Sequence, residues 1–119
     1  MLIRYKKTYE KIAMGLLSFM PNEKDVKKLM NTIKDYETND QYQLFLWKQD
    51  DVVGIIGIEI LANNSILIKH LSVNPSFRNQ GIATSIYEEI QKMYKNYTFQ
   101  FTDEIKSFIE HCNIGINTL

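Results

Sequence analysis

The sequence predicts an α/β (α+β) domain of order β-α-α-β-β-β-α-β-α, and three observations lead there. Residues 9–33 carry apolar side chains at helical spacing, residues 43–73 hold three strand-like runs in quick succession, and residues 82–112 read as helix, strand and helix. Leu2 to Lys7 alternates loosely and forms a first strand. Tyr9, Ile12, Ala13, Leu16, Leu17 and Met20 then recur on one helix face until Pro21 stops the helix. Asn22 can cap a second helix with Val26, Leu29, Met30 and Ile33 inward, and Thr38-Asn-Asp-Gln41 is a loop. Gln43–Gln49, Val52–Leu61 and Ile66–Val73 follow, joined at Asp50-Asp51 and Ala62-Asn-Asn-Ser65, as an antiparallel meander. Ile82, Ile86, Ile90, Met93 and Tyr94 line a third helix, and Tyr97–Phe101 alternates as a strand. Asp103 can cap a last helix with Ile105, Phe108, Ile109 and Cys112 inward.

Composition narrows the class. A chain of 119 residues, 45% hydrophobic and 24% charged, suits a single domain over 1–119. Lys plus Arg and Asp plus Glu stand at 14 each, so no global field draws nucleic acid or an anionic membrane. The lysine groups at 6, 7 and 11 and at 24, 27 and 28 read as solvated helix faces. A single Cys112 provides neither an internal disulfide nor a cysteine metal cluster, so no metal site is expected. No apolar run approaches the roughly 20 residues that span a bilayer. The N-terminus lacks a signal-peptide core. These features predict a cytoplasmic protein without nucleic-acid or membrane partners.

The chemistry concentrates in Leu71-Ser-Val-Asn-Pro-Ser-Phe-Arg-Asn-Gln-Gly-Ile-Ala83. A strand ends at Asn74-Pro75, a loop follows, and a helix starts near Gly81. Gly81 and Ala83 keep the turn free of bulk, so backbone N–H groups and the helix dipole can meet an anion, above all a phosphate. Arg78 brings a guanidinium fork suited to phosphate oxygens. The bland alternative is a tight turn with a capped helix and no ligand. A nucleotide-binding loop of the Walker kind is disfavoured, because Gly81 is followed by Ile-Ala-Thr rather than Gly-Lys-Thr.

In its strand–loop–helix place, Arg78-Asn-Gln-Gly-Ile-Ala83 resembles the signature of the GNAT acyltransferases: Arg or Gln, two residues, Gly, one residue, then Gly or Ala. Leu71-Ser-Val73-Asn-Pro75 also looks like that family's fourth strand. The whole chain, Met1 to Asp25 especially, is similar to the acetyltransferase-like proteins of bacterial riboflavin operons, which implies a riboflavin-linked genomic setting. The resemblance implies the GNAT fold, a mixed sheet whose fourth and fifth strands splay around acetyl-CoA. Leu71, Ser72 and Val73 would then offer backbone groups to the pantetheine arm. Arg78, Asn79, Gln80, Gly81, Ile82 and Ala83 would wrap the pyrophosphate, with Thr84 at the helix start.

The implied reaction is attack of an amine, on a small molecule or a protein, at the acetyl thioester. It calls for a base, for donors to the carbonyl, and for an acid to meet the thiolate. His70 and Glu59 are the candidate bases; His70 read as a structural core histidine is the competing view. Leu67 stands near the place where many family members carry a Glu. Ile109 stands where many carry an acidic Tyr; a second register puts His111 there, and Cys112 is adjacent. The family's last two strands are cut to 113–119, so a second copy is expected to cover the fifth-strand edge. Tyr36, Tyr42, Phe45 and Trp47 border the implied acceptor region, where a planar acceptor could stack. The alternative function is a CoA-binding module with little or no catalysis, acting as a regulatory or interaction partner.

Overall fold

The computed structural model describes residues 1–21 and 23–111, with His111 described by its backbone alone. The elements are β1 (Leu2–Arg4), α1 (Glu10–Leu17), α2 (Val26–Thr38), β2 (Tyr42–Lys48), β3 (Val52–Leu61), β4 (Ser65–Val73), α3 (Ile82–Met93), β5 (Thr98–Phe101) and α4 (Asp103–His111). Short 3₁₀ turns at Lys7–Tyr9 and Pro75–Phe77 precede α1 and α3. The expected order is present, and the five strands lie side by side in chain order. Neighbours are antiparallel from β1 to β4, whereas β4 and β5 run parallel with α3 as their crossover. The readings of Asn22, Cys112 and the tail 113–119 lie outside the described residues, as does the His111 side chain.

The sheet separates two cores. On one face Ile56, Ile58, Ile66, Ile68, Leu71 and Val73 pack against Ile82, Ile86 and Ile90 of α3 and Ile105 and Ile109 of α4. On the other, Leu44, Leu46 and Ile55 pack against Leu16 and Leu17 of α1 and Leu29, Ile33 and Tyr36 of α2. Each fully buried aliphatic side chain contributes about 1.5–3 kcal/mol relative to exposure, so these two layers carry the fold. Two parts of the predicted helix stripes differ. Val26 and Met30 are 63% and 58% exposed, because the inward stripe of α2 runs Leu29, Ile33, Tyr36 and leaves the residues beside it in solvent. Ile12 and Met93, expected inward, are also exposed.

One irregularity in the sheet matters more than the rest. Gly57 pairs with His70, yet the next residue of β3, Ile58, pairs with Ile68, so Lys69 is an extra residue in β4. This bulge reverses the side-chain alternation. Ile66 and Ile68 before it and Leu71 and Val73 after it all face α3 and α4, while His70 and Ser72 turn to the opposite face. The simple period-two pattern puts His70 in phase with Ile66 and Ile68; the bulge corrects that placement.

Candidate active site

β4 and β5 are partners only along Ser65–Ile68 and Thr98–Phe101. Beyond this, the chain leaves β5 through Thr102 into α4, and β4 continues without a neighbour on that side. The Asn74 N–H donates to the Val53 carbonyl at 2.8 Å, so by antiparallel alternation residues 70, 72 and 74 direct their backbone groups to β3. Leu71 and Val73 direct theirs into the split. The Val73 carbonyl there accepts a bond from Arg78 Nε at 3.1 Å.

The split leads to the loop singled out in the sequence. Asn74 Oδ1 accepts from the Ser76 N–H at 3.0 Å and sets the turn after β4. Asn79 and Gly81 have φ of 65° and 76°, two left-handed residues that bend the backbone around Gln80. A Cβ on Gly81 would meet nothing within 4 Å, so glycine is needed for the positive φ rather than for space. The first rung of α3 is Ser85 N–H to Gly81 carbonyl at 3.0 Å. Among the described residues the N–H groups from Asn79 through Thr84 meet no protein acceptor, which leaves a ring of donors at a helix start. Arg78 is anchored by Nε, and its guanidinium lies 5.9 Å from the centre of the Phe19 ring.

On the α1/α2 face, where β4 and β5 part, a cleft of about 210 Å³ is lined by Asp35, Tyr36, Tyr42, Lys69, His70 and Glu104, among others. Its floor is a buried polar chain. His70 Nδ1 is 2.5 Å from the Tyr36 hydroxyl and His70 Nε2 is 3.1 Å from Glu23 Oε1. Thr32 Oγ1 donates to the other Glu23 oxygen at 3.2 Å. Burial works to raise the Glu23 pKa, but the hydrogen bond and charge of His70, helped by Lys28 and Thr32, outweigh it and hold the carboxyl below its ordinary range. Burial above all, with Glu23 adding to it, pushes the Tyr36 phenol well above its ordinary value. Tyr36 reaches His70 across Gly57, where any Cβ would collide with its ring.

The structure brings His70 together with two groups that the sequence reading did not single out, Glu23 and Thr32, and gives Tyr36 a polar role beside its place in the core. Glu59 is elsewhere: Lys69 Nζ lies 3.6 Å from its carboxylate and 3.2 Å from the Tyr42 hydroxyl. Of the four aromatic residues named for the acceptor region, Tyr36 and Tyr42 line the cleft, with ring centres 5.7 Å apart. Phe45 and Trp47 belong to the core on the opposite face. Ile109 is fully buried in that core.

Residues 10–113 match the profile of the acetyltransferase (GNAT) family. The chain belongs to that family. It is 51% identical over 115 residues, 96% of each chain, to an "Uncharacterized N-acetyltransferase in lysA 3'region" of Bacillus methanolicus. Solved structures share the fold at low identity. The aminoglycoside antibiotic 6'-N-acetyltransferase of Acinetobacter haemolyticus has a TM-score of 0.77 at 14% identity, over 98% of this chain and 90% of its own. Aminoglycoside N-acetyltransferase AAC(6')-Iy, in complex with a CoA-linked acetylneamine bisubstrate analogue, has a TM-score of 0.75 at 17% identity with the same coverage. This protein is therefore a GNAT-family acetyltransferase with the mixed five-stranded fold expected of one.

Proposed function

We propose that this acetyltransferase moves an acetyl group from acetyl-CoA to a primary amine on a small molecule. The observation that carries the reading is that β4, unpaired toward β5 beyond Ile68, carries His70 into the cleft and leads to the N–H groups of residues 79–84, which have no protein acceptor among the described residues. Acetyl-CoA would supply the activated thioester. The N–H groups from Asn79 to Thr84, with Arg78 at the rim, hold its pyrophosphate. Leu71 and Val73 present backbone groups to the pantetheine arm, and the Leu71 N–H is placed to support the thioester oxygen as charge builds on it. Ser72 contributes by position alone, since its backbone faces β3. His70 is the proton sink, and Glu59 is set aside because Lys69 engages it.

Asp35 and Glu104 at the cleft, with Lys69 set against Glu59, favour an acceptor that arrives as a cation. A thiol is far more acidic than an amine or an alcohol, so the CoA thiolate leaves without a dedicated acid more readily than an amine or alkoxide would. The buried Ile109 in place of a tyrosine nevertheless supports a second reading, a CoA-binding module without turnover. The riboflavin-linked setting rests on the likeness of residues 1–25, and the cytoplasmic setting on the single cysteine. The outer edge of β5 has no strand partner among the described residues, which suits pairing with a second copy; light scattering at micromolar concentration distinguishes dimer from monomer.

Calorimetric titration with acetyl-CoA, joined to thiol release against an amine panel that includes riboflavin-pathway intermediates, tests the reading. Binding with turnover is expected. Binding without turnover transfers the assignment to the non-catalytic module, and absence of binding removes both. Arg78→Ala combined with Gly81→Glu is expected to abolish binding.

A further inference from the structure

The assignment of His70 as proton sink leaves a geometric problem, because neither ring nitrogen is free. Nε2 faces Glu23 and Nδ1 faces the Tyr36 hydroxyl, while His70 and Tyr36 both line the cleft and are equally buried, at 8% exposure each. A carboxylate can only accept, so the hydrogen of the neutral ring sits on Nε2. Nδ1 is then a bare acceptor, and the Tyr36 hydroxyl donates to it. The hydroxyl oxygen keeps a lone pair for a group entering from the cleft, which Tyr36 also lines.

Resting on the acetyltransferase reading above, we infer that the Tyr36 hydroxyl is the catalytic residue that meets the acceptor nitrogen and relays its proton to His70. The balance is closed by groups already present. An N–H bond of the acceptor ammonium breaks as its proton joins Tyr36 Oη. The original Tyr36 hydrogen passes to His70 Nδ1. The products are a neutral amine, an unchanged phenol and an imidazolium stabilised by the Glu23 carboxylate. The neutral amine then attacks the thioester; the C–S bond breaks as the amide forms, the second N–H proton of the attacking nitrogen goes to the departing thiolate, and the proton held on His70 returns to solvent as the products leave. Glu23 is a positioning residue: it fixes the tautomer of His70, and Thr32 in turn orients its carboxylate. Burial that keeps Tyr36 protonated suits a relay, since a phenolate would be a trap for the proton rather than a conduit.

Gly57 is part of the same device. A side chain there would displace the Tyr36 ring from its path to His70 while touching neither His70 nor Glu23 among its nearest neighbours. The relay therefore depends on one residue of β3 that carries no chemistry of its own.

The test uses the full chain with acetyl-CoA and two small nucleophiles: ethylamine, an ammonium at neutral pH, and hydroxylamine, already neutral there. Thiol release gives kcat/KM, and calorimetry with acetyl-CoA and a thermal midpoint accompany every variant. For Tyr36→Phe and His70→Gln, kcat/KM with ethylamine should fall by about 100-fold, and with hydroxylamine by at least about tenfold less. Gly57→Ala should follow Tyr36→Phe. An equal fall for both nucleophiles means that Tyr36 only shapes the cleft and overturns the relay. So does the absence of a fall with ethylamine, or a wild-type protein that binds acetyl-CoA yet releases no thiol with ethylamine. Failure to bind acetyl-CoA is seen separately in the calorimeter and overturns the acetyltransferase reading beneath it.

Discussion

On the face covered by α3 and α4, β3 and β4 present Ile56, Ile58, Ile66, Ile68, Leu71 and Val73 to a helix surface of Ile82, Ile86, Tyr87, Ile90, Ile105 and Ile109. On the face covered by α1 and α2, the same two strands present Ile55, Gly57, His70 and Ser72, and the helices answer with Tyr36 as well as Leu29 and Ile33. The first face is held by burial alone and tolerates a volume-conserving exchange. The second holds a charged carboxylate, an imidazole and a phenol in a chain, with Thr32 bound to the carboxylate at its end. Stability and chemistry have been assigned to opposite sides of one sheet, and the bulge at Lys69 is what turns His70 from one side to the other.

The widest separation between the faces is expected from His70→Ala set against Ile68→Ala. Each should cost about 2–5 kcal/mol in urea unfolding at pH 7, but for different reasons. Ile68→Ala leaves a cavity whose cost does not depend on pH. His70→Ala leaves Glu23 as a buried, uncompensated charge. The folded-state pKa of Glu23 is lowered, so its stabilising contribution is present above its unfolded value, about 4.3, and is lost as pH falls through the folded value. The penalty of His70→Ala should therefore shrink below about pH 4, while that of Ile68→Ala stays. Equal pH profiles for the two variants would erase the distinction between the faces.

A smaller loss is expected from Gly57→Ala. Crowding Tyr36 should cost about 1–3 kcal/mol by the same unfolding measurement. Smaller again, and visible only at alkaline pH, is the effect of Tyr36 ionisation. Its folded pKa is raised, so its contribution is complete below the unfolded value of about 10 and is lost as pH rises above it. Tyr36→Phe should flatten part of that alkaline decline. Tyr5, raised by burial and by its bond to Glu37, should supply a further part that remains in the variant. The least effect, and of opposite sign, belongs to Gly15→Ala in α1. A Cβ there meets nothing within 4 Å, so better helix propensity should stabilise the fold by about 0.5–1 kcal/mol, read as a higher thermal midpoint.

The apolar face was the more legible in sequence. Ile82, Ile86 and Ile90 announce themselves by spacing, and the strand runs 52–61 and 66–73 by β-branched content, because burial of identical layers repeats with the period of the element. The loop before α3 was legible too, since Arg78, Gly81 and Ala83 lie within six residues and Gly81 takes the left-handed φ that starts the helix. The polar face was not. Glu23, Tyr36 and His70 sit on three separate stretches with no shared period, and they meet only after α2 packs over Gly57. The bulge hid the phase of His70, because a single extra residue leaves no compositional mark. Only the position of Tyr36 three residues after Ile33, at the end of the inward stripe, carried a hint that its hydroxyl would be buried and need a partner.

Acetyl-CoA is expected to lie along β4 from the 79–84 loop to the His70 cleft, and amide chemical-shift mapping of the full chain by two-dimensional NMR, titrated with acetyl-CoA, reads this out. The expected result is a contiguous set of shifted amides from Leu71 and Val73 through Asn79 to Thr84, with Lys69 and His70 at its far end. Shifts confined to any other surface, or a loop that stays unmoved at saturating acetyl-CoA, would contradict it.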